Sequence, residues 1–286
     1  MKNNRAEYIP LRKKGFKTYF QFSLIAMCFV IVFALFYACA GRKPKIDFSD
    51  AKVIQMDLPS DDTPVVVFET DKGTFKAVLF PDEAPKYYDF FKGLVEDGYY
   101  DGTYVNMVQD GVFFIGGTKQ ADGQTTSDTD TTELDAELSK NLWPIKGALC
   151  AYTYDKKSFM SSSKVSNSYL LFVDDYQLTE EEQKEFDEMT VSNEVPDDIT
   201  DAFSNYGGVL NFSQQYTIFG QIYDGMDVYD EICAMDVTDS ETLRPSENIQ
   251  FTKVYLSTYG ENKNDSFFET QESTSAEDTS SQTESK

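Results

Sequence analysis

The 286-residue sequence contains no histidine. A Ser-His-Asp or Cys-His catalytic unit therefore cannot be assembled from it, and neither can a His-ligated metal site. Four cysteines in so long a chain do not make a disulfide scaffold. Basic residues are scarce, with 25 Lys and Arg against 49 Asp and Glu, a formal charge of -24. Phosphate contacts need clustered positive charge, so nucleic acid is excluded as a partner. What the chain holds in quantity is aromatic: 23 Phe and 18 Tyr beside a single Trp. That is ample for a packed core and favours strands.

The charge is unevenly placed. Residues 1–45 carry nine Lys and Arg against one acid, Glu7, a local charge of +8 that leaves -32 for the rest. Between Lys17 and Arg42 no residue is charged, and Phe22 to Ala40 is almost wholly apolar. A stretch of about 20 such residues is long enough to span a bilayer, and it lacks the polar residues at a 3.6 period that a soluble surface helix shows. Six Lys and Arg precede it and three follow, so the positive-inside bias keeps the basic segment 1–21 in the cytoplasm and sends the acidic body to the extracytoplasmic face. Two readings of 22–40 stand side by side. Phe36-Tyr37-Ala38-Cys39 is similar to a lipoprotein box, which makes Cys39 a lipidation candidate; the alternative is an uncleaved single-pass anchor with an incidental Cys39.

Residues 41–62 contain Pro44 and Pro59 with no sustained period and read as a linker. Residues 259–286 are rich in Ser, Thr, Glu and Asp and read as a disordered acidic tail. The folded body is expected over 63–258. It opens with a hairpin, Val65–Thr70 and Thr74–Phe80 around Asp71-Lys72-Gly73. Pro85 starts a helix with Ala84, Tyr87, Tyr88, Phe91, Leu94 and Val95 on one face, ended by Gly98. Strand-like runs follow at 111–117, 146–154, 167–173, 215–222 and 249–256, with a second helix over 226–235. Many short strands and two separated helices predict a mainly β protein, a closed barrel with helical caps.

Several stretches in this order resemble the cyclophilin family of peptidyl-prolyl isomerases. Ala84-Pro85-Lys86-Tyr87-Tyr88-Asp89-Phe90-Phe91-Lys92-Gly93-Leu94 is similar to the family's first helix, and Gly98-Tyr99-Tyr100-Asp101-Gly102-Thr103 to the turn after it. Gly111–Gly117 stands where the family has Gly-Phe-Met-x-Gln-Gly-Gly, Gly147-Ala148-Leu149 resembles the Gly-x-Leu strand, and Tyr216–Val228 is close to the penultimate strand and second helix. Arg244-Pro245 and the 249–256 strand close the pattern. The resemblance implies an eight-stranded antiparallel barrel. A helical insertion is expected at about 174–214, with helices in 179–189 and from Pro196 to Gly207. Such insertions are similar to those of membrane-anchored bacterial, lipoprotein-like cyclophilins.

Prolyl isomerisation has to overcome a barrier of roughly 18–20 kcal/mol. An apolar slot that grips the proline ring and fixed donors that favour the twisted amide both lower it. The resemblance implies that the family's Phe-His-Arg becomes Val105-Asn106-Met107, so Met107 replaces the catalytic Arg. Ile115 replaces the Gln before the paired glycines, and Tyr169 a second Gln. The apolar wall is kept as Val112, Phe113, Leu171 and Phe212, while Tyr216 offers one hydroxyl. Methionine has no N–H to donate, and one lost donor typically costs about 10²–10³ in rate. The expectation is an extracytoplasmic, membrane-tethered isomerase-like protein that assists folding with weak or lost catalysis and binds proline-containing polypeptides. The alternative is a non-catalytic peptide-binding or interaction module on the same fold. No cofactor is implied. Asp122, Asp128, Asp130, Glu133 and Asp135 form an acidic loop, but its spacing does not match an EF-hand, and no metal is assigned. Cys150 and Cys233 are read as two buried thiols.

Overall fold

A computed structural model describes residues 48, 50–123, 132–157, 162–176, 184 and 196–268 of the chain. Its strands are β1 (Pro64–Thr70), β2 (Thr74–Leu79), β3 (Thr103–Gln109), β4 (Phe113–Thr118), β5 (Leu134–Asp135), β6 (Ala148–Lys157), β7 (Ser162–Val173), β8 (Thr217–Asp224), β9 (Val237–Asp239), β10 (Arg244–Pro245) and β11 (Ile249–Thr258). The helices are α1 (Pro85–Glu96), α2 (Asp197–Tyr206) and α3 (Met226–Cys233). The main sheet runs β4-β3-β11-β1-β2-β8-β6-β7, and β7 pairs back onto β4. That pairing closes an eight-stranded antiparallel barrel, with β5 added along the outer end of β7. The predicted fold class is therefore met, with α1 and α3 as the two expected caps.

Alternate residues of each strand point into the barrel. Phe68, Phe75, Phe114, Phe172, Phe219 and Phe251 fill its interior. Phe114 stacks on Phe172 with ring centroids 4.3 Å apart, and Phe68 on Phe75 at 5.0 Å. Helix α1 buries Tyr87 and Phe91 against Phe219, at 4.8 and 4.9 Å. Its N-cap, Ala84, has no side chain to offer its orphan amides. The Glu137 carboxylate accepts instead from Tyr87 N at 2.9 Å and Lys86 N at 3.3 Å. Helix α3 brings Tyr229 to Phe114, 5.3 Å away, and the Tyr229 hydroxyl donates to Val173 O at 2.6 Å.

The body extends beyond 63–258 at both ends. The described residues 48 and 50–56, expected to be linker, pack on the barrel: Gln55 is fully buried, and Phe48 lies 5.4 Å from Trp143. Gln55 Nε2 donates to Trp143 O and Gln221 Oε1 at 2.9 and 2.8 Å, while Trp143 N donates to Gln55 Oε1 at 2.6 Å. The side-chain amide thus pairs with a backbone peptide as a neighbouring strand would. At the other end, the expected tail begins as a docked segment. Tyr259 and Phe268 are buried with Tyr223 on the outer face of β1 and β2, because three aromatic rings there remove a large apolar area from water.

Within the insertion, α2 forms where predicted and ends at Gly207, while the helix expected over 179–189 lies, apart from Lys184, outside the described residues. So do the basic segment 1–21, the apolar stretch 22–40 with Cys39, most of the linker's first half, the tail beyond 268, and Asp128 and Asp130. Among the described residues, no helix is long and apolar enough to cross a membrane. Glu133 of the acidic loop is engaged by Lys156 and by the Tyr154 hydroxyl, which hold its carboxyl below the ordinary range. Cys150 and Cys233 are both free and buried, as expected.

Candidate functional site

The barrel's outer wall carries a second apolar cluster, separated from the interior by the sheet itself. Its floor follows from strand register. Met107 of β3 faces Ile115 of β4, Ile115 faces Leu171 of β7, Leu171 faces Cys150 of β6, and Cys150 faces Ile218 of β8. Five side chains thus form one row across five strands, roughly 19 Å at the usual strand spacing. They share a face because each strand alternates: Phe114, Phe172, Leu149 and Phe219, next to them in sequence, point inward.

The walls rise from turns and strand ends. Val112 and Phe113 stand at the start of β4, held where Val112 N donates to Gln109 O at 2.9 Å. Phe212 sits on the 3-10 turn Leu210–Phe212, which is fixed to the barrel by Val209 N donating to Pro144 O at 2.9 Å. The turn continues through Gln214, a non-glycine residue at φ 57 whose side chain donates to Ser139 O at 2.7 Å. That left-handed residue reverses the chain and sets Tyr216 against Phe212, ring centroids 4.8 Å apart. Phe212 in turn lies 6.1 Å from Phe113.

The structure brings together the residues expected at the catalytic and substrate-binding positions: Met107, Ile115, Val112, Phe113, Tyr169, Leu171, Phe212 and Tyr216 all belong to this cluster. Cys39 lies outside the described residues. The cluster also takes in Ile54, Phe80, Leu142, Val209 and Tyr152, which sequence reasoning missed. Tyr152 was within reach of period 2, two residues beyond Cys150 on the same strand face. Ile54 carried no signal, since it comes from the presumed linker.

Electrostatically the site is neutral. None of the residues named above is charged. Burial, with the Cys150 thiol and Tyr152 close by, pushes the Tyr216 hydroxyl up to about 12, and burial raises Tyr169 as well. Both phenols therefore stay protonated and can donate. Burial also drives the Cys150 thiol far above its ordinary value, so it is not a nucleophile. Beside Met107, the Asn106 Oδ1 atom is buried and has no hydrogen-bond partner among the described residues. The arrangement can grip an apolar side chain and offer phenolic hydroxyls. It has no guanidinium to aim at a twisted amide, because the long flexible thioether of Met107 cannot donate.

A closed eight-stranded antiparallel barrel with helices packed on it and an apolar cluster on its outer wall defines the class of fold. The model of the cyclophilin type peptidyl-prolyl cis-trans isomerase/CLD family matches residues 65–256. A Staphylococcus aureus protein provisionally named a peptidyl-prolyl cis-trans isomerase is 30% identical over 167 residues, 58% of this chain and 79% of that one. A Streptococcus pyogenes protein provisionally named a bifunctional phosphatase/peptidyl-prolyl cis-trans isomerase is 26% identical over 197 residues, 68% of this chain but only 39% of its own length. Among solved structures, a cyclophilin type isomerase of Cryptosporidium parvum, crystallised in the presence of the dipeptide Ala-Pro, superposes with a TM-score of 0.50 at 18% identity. It covers 68% of this chain and 99% of that one. The chain belongs to the cyclophilin-type peptidyl-prolyl cis-trans isomerase family.

Proposed function

We propose that the protein is an extracytoplasmic, membrane-tethered cyclophilin that assists folding by holding proline-containing segments in its outer-wall groove, with isomerisation weak or lost. One observation carries the reading: the Met107–Ile115–Leu171 row keeps an apolar floor beneath Phe113 and Phe212 and lacks both polar groups that the family resemblance places there. The presence of Ala-Pro with the Cryptosporidium protein supports proline as the group to be held. The basic head, the apolar stretch 22–40 and the acidic remainder support the tether and its orientation, as an uncleaved anchor or through lipidated Cys39. They also support assignment to a membrane-anchored bacterial branch.

A protease-coupled assay on the full chain tests the catalytic half. The wild type is expected to turn over a prolyl peptide at least 100-fold more slowly than an active cyclophilin, the loss typical of a missing preorganised donor. A rate near that of an active enzyme would overturn the reading and favour Tyr216 as the replacement donor. Met107→Arg is expected to raise the rate at least tenfold if the groove is intact. The intact mass of the membrane-extracted protein decides between lipidated Cys39 and an uncleaved helix.

A further inference from the structure

Resting on that peptide-holding reading, we propose that the adjacent carboxylates Asp174 and Asp175 are positioning residues for the groove. From one strand end they fix the two turns that carry Phe113 and Phe212, and so set the shape of the slot that receives the proline ring. Strand β7 alternates between the barrel interior, at Leu170 and Phe172, and the groove, at Leu171 and Val173. The two carboxylates follow where it leaves the sheet, and each reaches a different turn.

Asp174 takes hold of the turn into β4. Its N–H donates to Val112 O at 2.9 Å, and its Oδ2 atom accepts from Gly111 N at 3.1 Å. Gly111, at φ 70, reverses the chain there, and Phe113 stands two residues on. Asp175 takes hold of the turn that leads to Phe212. Its Oδ1 atom accepts from Gly208 N at 3.3 Å, and Tyr176 N donates to Gly208 O at 3.3 Å. The Asp175 carboxylate also lies so closely over Gly207 that no Cβ could be placed there. Val209 comes next in the chain, and its carbonyl accepts from Phe212 N at 2.8 Å. Lys146 joins the two halves. Its backbone N donates to Gly207 O at 3.2 Å, while its ammonium lies 3.8 Å from Asp174 and 2.9 Å from Asp230.

Asp174 is only 7% exposed. Burying a carboxylate costs much of what its ion pair returns, so the pair adds little net stability. What it supplies is geometry, since a charged acceptor holds an N–H more firmly than a neutral one. Both ring-bearing turns are thus referred to one strand end, which fixes the 6.1 Å spacing and 42° tilt of Phe113 and Phe212. A slot shaped in advance favours the compact, rigid proline ring over a bulkier flexible side chain, because little ordering is left to be done on binding.

The test titrates the full chain, in a zwitterionic detergent, with two acetylated peptides that differ only in an Ala-Pro or Ala-Leu centre, followed by NMR. The wild type is expected to prefer the prolyl peptide by about tenfold or more, the range that one changed apolar group gives in a shaped pocket. Asp175→Ala should cut that preference to about threefold or less, chiefly by admitting leucine, with amide shifts altered over 207–212. Asp174→Ala should act likewise, with its altered shifts at 111–113. Asp175→Asn keeps an acceptor oxygen for Gly208 N and should recover most of the preference. An equal fall in both affinities, with the ratio kept, is what a merely structural role would give; it overturns the inference and leaves the peptide-holding reading standing. A wild type without prolyl preference, or Asp175→Asn behaving as Asp175→Ala, does the same. If the alanine variants do not fold, exchange in the wild type decides. The Gly111 and Gly208 amides should exchange about 100-fold or more slower than unstructured amides, and an unprotected amide at either overturns the inference. Binding of neither peptide by the wild type overturns both.

Discussion

The barrel has two apolar outer faces, and the chain treats them differently. On the face made by β1 and β2, Val65, Val67 and Val78 are sealed beneath Tyr259 and Phe268. The C-terminal segment is fastened there by the Tyr223 hydroxyl donating to Asn262 O at 2.9 Å and by Lys263 pairing with Asp61 at 2.7 Å. On the face made by β3, β4, β7 and β6, the described N-terminal residues contribute Ile54 to the cluster. Met107, Phe113, Tyr152, Tyr169, Phe212 and Tyr216 remain half-buried. The described C-terminal residues cover the one face, whereas Ile54 borders the other. Among the described residues this second face stays partly exposed, which is what the peptide-holding proposal requires of it.

The largest effect expected from breaking this contrast is at Gln55. Gln55→Leu leaves Trp143 N and Gln221 Oε1 without these partners in a buried setting. At about 1–3 kcal/mol for each orphaned group, the variant should lose roughly 3 kcal/mol in denaturant unfolding. A loss under 1 kcal/mol would mean that the N-terminal segment is only loosely attached. The next effect separates the two faces directly. Phe268→Ala should cost about 2–3 kcal/mol, at or below the low end for a buried phenylalanine, because the segment can detach while the barrel stays folded. Phe212→Ala on the open face should cost under about 1 kcal/mol and act on peptide binding instead, since a half-exposed ring gives up less burial. Equal losses from the two substitutions would erase the distinction between a sealed face and an open one.

How far these features were legible in the sequence depends on which signal each one sends. The β1–β2 hairpin, α1 and α3 announce themselves through period, Pro85 and glycine turns. Strand β3 does not, because register shifts at Tyr104/Val105 and Val105/Met107 break its alternation. The N-terminal segment is hidden because its key contact is made by a glutamine, a residue that reads as solvated unless its partners are known. The docked tail is hidden by averaging: a Ser- and Glu-rich composition masks one aromatic pair, Phe267-Phe268, whose place against Tyr223 depends on the finished barrel. The candidate site was legible residue by residue only through resemblance to a family. Period 2 explains afterwards why Ile115, Leu171 and Cys150 align, but nothing in the bare pattern says that β4, β7 and β6 are neighbours.

The smallest effect expected is a pH dependence confined to the sealed face. Asp224 accepts from Lys76 at 2.8 Å, from Asn264 Nδ2 at 3.0 Å and from Gly225 N at 3.1 Å, so it links β2 to the C-terminal segment. Burial works to raise its carboxyl, but the hydrogen bonds from Lys76 and Asn264 outweigh burial and hold it below the ordinary value. A carboxylate depressed in the folded state contributes stability above the unfolded value, near 3.9, and loses it as pH falls through the folded value. Acid should therefore loosen the segment below about pH 4, with no step between pH 5 and 8. Amide hydrogen exchange at Tyr259, Gly260 and Asn262, whose N–H groups are all bonded within this region, would report the loosening. In Asp224→Asn the acid step should vanish and exchange should be faster at neutral pH. A step that persists in that variant would place the acid sensitivity on another carboxylate, whereas the groove face should show no such step because none of its named members is a carboxylate.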